Sequence, residues 1–77
     1  MTVVVETTGS LTYVGRFDSE DPAGIHLFDV GIHDASSGGS RDDYVRRSAR
    51  FGIRADRKQL VVPRAEVSRI TPLGEIE

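Results

Sequence analysis

The chain has 77 residues, of which 38% are hydrophobic and 29% are charged, as expected for one small globular domain spanning residues 1–77. It contains no cysteine, which excludes disulfides, thiolate zinc sites and redox chemistry and favours a cytoplasmic location. No apolar run approaches the roughly 20 residues of a membrane-spanning helix, so we expect no membrane partner, and the first residues lack the features of a signal peptide.

The net charge of −2 is unevenly distributed along the chain. Residues 1–40 hold one basic and six acidic residues, a net charge of −5, whereas residues 41–77 hold nine basic and six acidic residues, a net charge of +3. A basic field over the whole surface is therefore excluded, but the second half is compatible with a local basic face that binds nucleic acid.

The first third of the chain predicts a β-hairpin. A run rich in β-branched residues begins at Val3 and ends at a turn over residues 8–10. The next segment alternates, so that Tyr13 and Phe17 share one face of a second strand. Two such strands joined by a glycine-containing turn are typical of a hairpin.

Residues 25–34 predict a longer strand after an acidic turn. Its better apolar face is formed by alternate residues, namely His26, Phe28, Val30 and Ile32. Gly31, on the opposite face, indicates a bulge or a sharp bend. Together with the aromatic residues of the hairpin, Phe28 and Phe51 are expected in the core rather than on a base-stacking surface.

A polar loop over residues 35–43 precedes a segment that we interpret as a further strand, residues 44–55. Phe51 and Ile53 share its apolar face, and arginines occupy the opposite face. A charged turn at residues 56–58 ends this segment.

Pro63, within the stretch LVVPRAEVSRI, permits two interpretations. A helix could begin there with proline in its first turn. However, Pro72 follows only nine residues later, no capping residue precedes Pro63, and Val62 is biased towards β geometry. We therefore predict a strand over residues 60–62, a tight turn, and a strand over residues 66–71. The chain then has five or six short strands and essentially no helix, which favours a small all-β barrel.

The order of these pieces resembles that of the Sm-like small barrels, in particular their divergent bacterial or phage members. The resemblance rests on the hairpin VVVETTGSLTYVGRF, the long strand IHLFDVGIHD, a variable polar loop and the closing VVPRAEVSRI. It implies a strongly bent, five-stranded antiparallel barrel of the Sm-like or SH3-like kind. It also implies homo-oligomeric rings of about five to seven subunits, in which the fourth strand pairs with the fifth strand of a neighbour.

The same resemblance implies RNA binding. RNA-binding relatives use an asparagine in the loop after the second strand and an Arg-Gly pair near the last strand. This chain has no asparagine; the corresponding loop is DPAGIH, which contains His26, and Arg64-Ala65 stands in place of Arg-Gly. The resemblance therefore makes His26 and Arg64 candidate RNA-binding residues in an atypical site.

A basic cluster in the second half supplies further candidates, Arg46, Arg47 and Arg50, with Tyr44 as the interleaved aromatic residue. Arginine binds phosphates and stacks on bases, and a ring of subunits would repeat these charges. The alternative is a solvated strand face whose charges are balanced by nearby acids, namely Asp42, Asp43, Asp56 and Glu66.

Two histidines and two carboxylates lie close together in the sequence, at His26, Asp29, His33 and Asp34. On a strand, Asp29 and His33 are roughly 13 Å apart, and the other two residues lie on the opposite face, so we predict no metal and no cofactor. The serines of residues 36–40 lack the motif of a catalytic nucleophile.

We therefore predict a non-enzymatic protein that forms a homo-oligomeric ring and binds or scaffolds RNA. The alternative is a structural or protein-interaction ring without nucleic acid, and a small enzyme is the least favoured interpretation.

Overall fold

The structure, a computed structural model, describes residues 1–75 and contains a five-stranded antiparallel sheet in the order β4-β3-β2-β1-β5. Its strands and single described helix are β1 (Thr2–Thr7), β2 (Leu11–Asp21), β3 (Gly24–Asp34), α1 (Arg41–Phe51), β4 (Arg57–Val62) and β5 (Val67–Pro72). Short 3-10 turns follow β3, β4 and β5. The predicted all-β class with five antiparallel strands is confirmed.

The edge strands of this sheet are β4 and β5, which follow one another in sequence. Each pairs on one side only among the described residues, β4 with β3 and β5 with β1, so the sheet is not hydrogen-bonded into a closed barrel there. The connection between them is the 3-10 turn Arg64–Glu66, after Pro63. The prediction of two strands joined by a turn at Pro63 is therefore confirmed.

Strand β1 is buried on both faces, which explains its run of three valines. Val3 and Val5 point to one side and join the larger apolar cluster, which also contains Ile25, Leu27, Val30 and Val62. Val4 points to the other side and packs with Val14 and Val45 of α1 in a smaller cluster. The helix thus covers the second face of the sheet.

A bulge in β3 changes which of its residues face the core. The register pairs Val14 with Gly31 but Arg16 with Phe28, so β3 carries one extra residue in this interval. Asp29 adopts a positive φ of 52° there. Before the bulge the buried residues are therefore the odd-numbered Ile25 and Leu27, and after it the even-numbered Val30. The predicted apolar face through His26 and Phe28 was wrong.

Gly31 lies just after the bulge, at a point where α1 and the segment after it pack closely on β3. A Cβ at this position would lie 2.5 Å from the hydroxyl oxygen of Tyr44 and 3.0 Å from the carbonyl oxygen of Arg54. The glycine therefore lets α1 and the segment after it approach the sheet closely.

The segment predicted as a strand over residues 44–55 is mostly the helix α1, so that prediction was wrong. Ser40 caps the helix by accepting a hydrogen bond from the amide of Asp43. Acidic residues in the first turn and Arg50 in the last turn complement the helix dipole. Gly52 ends the helix with a φ of 93° and donates its amide to the carbonyl of Ser48.

Two of the four aromatic residues predicted in the core are exposed. Phe51 is 79% exposed at the end of α1, and Phe17 is 39% exposed on β2. Tyr13 is partly buried against the larger apolar cluster, and Phe28 is half-buried. Across residues 1–75, no helix has the length and apolar character needed to cross a membrane.

Candidate nucleic-acid interface

Three of the six predicted site residues lie together on the outer face of α1. Arg46, Arg47 and Arg50 are all exposed, and helical spacing directs them away from the buried Val45 and Ser48. On a strand, Arg46 and Arg47 would have pointed to opposite faces. The helix therefore assembles a denser basic face than the strand interpretation allowed.

These arginines are free of ion pairs with other described residues. The ion pairs among residues 1–75 involve other basic side chains, namely Arg16, His26, Arg41 and Arg64. The carboxylates of Asp42 and Asp43 lie one turn before Arg46 and Arg47 but form no contact within 4.0 Å with them. The guanidinium groups on the outer face are thus available to an anionic ligand.

Tyr44 holds the helix against the sheet rather than facing the arginines. Its ring stacks on His33 of β3, with the centroids 4.8 Å apart and the planes 17° from parallel. Burial raises the pKa of its hydroxyl, and the charge of Asp56 adds to this effect, while a hydrogen bond with Ser48 opposes it. The predicted aromatic partner of the basic cluster is therefore a docking residue.

Contacts at both ends of α1 fix its position. At the beginning, the guanidinium of Arg41 lies 3.2 Å from the carboxylate of Glu6 on β1. After the end, Asp56 accepts a hydrogen bond from the amide of Ile32 through its side chain, and its own amide donates to the carbonyl of Val30. The helix is therefore tied to the sheet by polar contacts as well as by its apolar side.

His26 and Arg64 lie elsewhere, near the turn between β2 and β3. The guanidinium of Arg64 is 3.8 Å from the carboxylate of Glu20. The Nε2 atom of His26 lies 2.9 Å from a carboxylate oxygen of Asp21, without the alignment of a full hydrogen bond. Contact with His26 is the main cause that holds the pKa of Asp21 below its usual value.

The six predicted residues therefore do not form a single site. His26 lies five positions before Gly31, against which Tyr44 packs, and five positions along a strand span roughly 16 Å. The end of the sheet that holds His26 and Arg64 is also rich in carboxylates, which repel phosphates. The outer face of α1 is the better candidate for an anionic ligand.

The four residues considered as a metal site are each engaged separately. His26 faces Asp21, Asp29 pairs with Arg16 at 2.9 Å, His33 stacks on Tyr44, and Asp34 accepts hydrogen bonds from Ser36. The hydroxyl of Ser36 is the main cause that lowers the pKa of Asp34. Within residues 1–75 no group of three or more His, Cys, Asp or Glu residues is arranged to hold a metal ion.

Sequence reasoning missed the exposed aromatic ring of Phe51 next to this basic face. The signals were present in the capping pattern Ser40-x-x-Asp43 and in Gly52, which together delimit a helix that ends at Phe51. Phe51 follows Tyr44 by seven residues, on the same side of the helix, but as the last residue of α1 it is 79% exposed.

No protein-family model, curated protein or solved structure matches the chain significantly. The resemblance to the Sm-like proteins stays a prediction that rests on the order of the sequence elements.

Proposed function

We propose that the protein is a non-enzymatic, cytoplasmic RNA-binding protein whose phosphate contacts come from the outer face of α1. The observation that carries this proposal is the clustering of Arg46, Arg47 and Arg50 on one exposed helix face without carboxylate partners among residues 1–75. Arginine binds phosphate oxygens through its planar fork of donors, and such contacts dominate the affinity for nucleic acids.

There are more arginines on α1 than are needed to complement its dipole. One basic residue in the last turn, Arg50, is sufficient to complement the dipole of α1. Arg46 and Arg47 lie in the middle of the helix, where the dipole has little effect. On the helix, Arg46, Arg47 and Arg50 outnumber the carboxylates of Asp42 and Asp43 one turn earlier, and this local excess of positive charge favours a ligand of opposite charge.

The proposal is tested by measuring the affinity for a short unstructured RNA over a range of salt concentrations. Three phosphate contacts to a single strand give a slope of about −2 in a plot of log K against log salt. Fluorescence anisotropy with a labelled oligonucleotide provides this slope. The absence of binding at low salt would exclude the proposal.

We propose further that the protein assembles through its two edge strands into a ring, for which the Sm-like resemblance implies about five to seven subunits. Exposed edge strands pair readily with other chains, and a small domain gains stability by assembly. When β4 of one subunit and β5 of the next are aligned over their six residues, Arg69 faces Leu60 and Arg57 faces Pro72. This register brings no like charges opposite each other.

Native mass spectrometry tests the assembly. The expected result is a single species whose mass is an integral multiple, about five to seven times, of the 8.4 kDa subunit. A proline or a glutamate in the exposed part of β4, at Val61, should shift this species towards the monomer. A monomer for the unchanged protein at micromolar concentration would contradict the ring.

A structural or protein-interaction ring is the second candidate function, and the observation that favours it is that β4 and β5 each have one edge unpaired among residues 1–75. It shares the assembly but assigns no role in RNA binding to the arginines of α1. A ring that forms normally and binds no RNA at low salt would support this candidate over the first.

A further inference from the structure

Phe51 is an exposed aromatic residue at the border of the basic face. Whereas Phe17, the exposed phenylalanine on β2, is 39% exposed, Phe51 is 79% exposed. Gly52 follows it with a positive φ, and a Cβ on Gly52 would meet no atom within 4 Å, so the space around the end of α1 is open. A ligand that covers the ring would remove this apolar area from water, which is favourable.

Helical spacing places Phe51 directly beside the arginines. Arg47 precedes it by four residues and therefore lies next to it on the same side of the helix, and Arg50 lies next to Arg47. After the helix ends, the exposed Arg54 follows three residues later. Phe51 thus lies at the border between the buried side of α1, which carries Ser48, and the exposed arginines.

We propose that Phe51 stacks on an unpaired base of a single-stranded RNA while Arg47 and Arg50 contact the adjoining phosphates. This inference rests on the proposed RNA binding and adds the class of RNA that the site takes. Every base has a π-face, so stacking on one phenylalanine is tolerant of sequence but requires a base that is not already stacked in a duplex. The site is therefore selective for single strands without reading their sequence.

The composition of this surface favours a nucleic acid over a lipid bilayer. A helix that lies in a membrane interface turns a broad apolar face to the lipid. The buried side of α1, with Tyr44, Val45 and Ser48, is turned towards the sheet, and within residues 41–51 Phe51 is the only exposed large apolar residue. One ring is sufficient to stack on a base but provides little area for membrane insertion.

The test compares Phe51→Ala, Phe51→Leu and Phe51→Tyr for binding to a short unstructured RNA and to a duplex. We expect Phe51→Ala and Phe51→Leu to weaken single-strand binding by about 5- to 150-fold, because both lose the ring. Phe51→Tyr keeps the ring and should bind within about twofold of the unchanged protein. The slope against salt should not change, since no charge is removed, and duplex binding should stay the same. An exposed side chain of this kind is not needed for folding, which circular dichroism of each variant verifies.

The outcomes separate this inference from the proposed function. If the arginines of α1 are needed for binding but all three Phe51 variants bind like the unchanged protein, stacking is excluded and the proposed function stands. If Phe51→Leu binds as tightly as Phe51→Tyr, the contact is apolar rather than stacking, and the inference is wrong. If the unchanged protein binds no RNA, both fail. Binding to phosphatidylserine vesicles that requires Phe51, without RNA binding, would assign this face to a membrane surface instead.

Discussion

Replacing Gly24 by alanine is expected to lower the free energy of unfolding by about 3 kcal/mol or more, which is a large part of the stability of a domain of this size. Gly24 begins β3 with a φ of 138°, a conformation that residues with a side chain rarely adopt. A Cβ at this position would clash with the carbonyl oxygen of Val62 and would lie 2.8 Å from its carbonyl carbon. Because these atoms belong to the backbone of β4, the clash can be relieved only if β3 and β4 move apart.

Gly9→Ala is the matched control for this prediction. Gly9 lies in the turn between β1 and β2, and a Cβ there would meet no atom within 4 Å. We expect this variant to retain its stability within about 0.5 kcal/mol. Urea denaturation of both variants at one protein concentration measures the difference, because assembly makes the apparent stability depend on concentration. Equal stability of the two variants would show that β3 and β4 do not approach each other as described.

The double variant Arg46→Glu/Arg47→Glu is expected to weaken binding to single-stranded RNA by at least about 100-fold at low salt. Each charge-assisted contact contributes roughly 1.5–3 kcal/mol, and the introduced carboxylates add repulsion. Both side chains are exposed and unpaired among the described residues, so the fold should be retained. The slope against salt should become shallower, from about −2 to about −0.7, as expected when only one phosphate contact is left.

Arg57→Glu/Lys58→Glu is the control, since it makes the same change in net charge at another adjacent, exposed pair. If RNA binds to α1, this control should lose much less affinity than the helix variant, and the loss should reflect only the change in overall charge. Because Arg57 and Lys58 lie on the edge strand β4, the mass of both variants should be measured alongside. Equal losses in the two variants would mean that binding is a non-specific response to charge.

The strands of the fold were predictable because their signals are local. Alternation and a glycine turn located β1 and β2, and the spacing of Pro63 and Pro72 favoured two strands over a helix. The switch of faces in β3 was not predictable in this way. It depends on the positive φ of Asp29, a conformation that asparagine, aspartate and glycine all adopt and that only the pairing with β2 selects.

Helix α1 was missed because its pattern is compatible with both a helix and a strand. Phe51 and Ile53 alternate as in a strand, and the buried side of the helix contributes only a few residues to the core. The capping residues, not the apolar pattern, distinguish the two, and Ser40 and Gly52 carry that signal. An interpretation that gave priority to the caps would have found the helix.

The candidate site was predicted only in part, because the positions of its residues depend on helix α1. The arginines of residues 46–50 were recognised from their density in the sequence, but their common face depends on the helix. His26 and Arg64 were proposed by resemblance, and their carboxylate partners on the β2–β3 turn become apparent only when the turn is folded. The roles of Tyr44 and Phe51 were interchanged, because only the fold determines which ring is stacked on His33 and which is exposed.

The measurement that tests the central claim most directly is the mapping of backbone amide shifts by NMR during titration with a short single-stranded RNA. We predict that the perturbed amides concentrate in residues 44–54, on and just after α1, while the amides of residues 19–26 and 64–66 stay unchanged. Perturbations that concentrate around His26 and Arg64 would contradict RNA binding by α1. They would place the site where the Sm-like resemblance implies it.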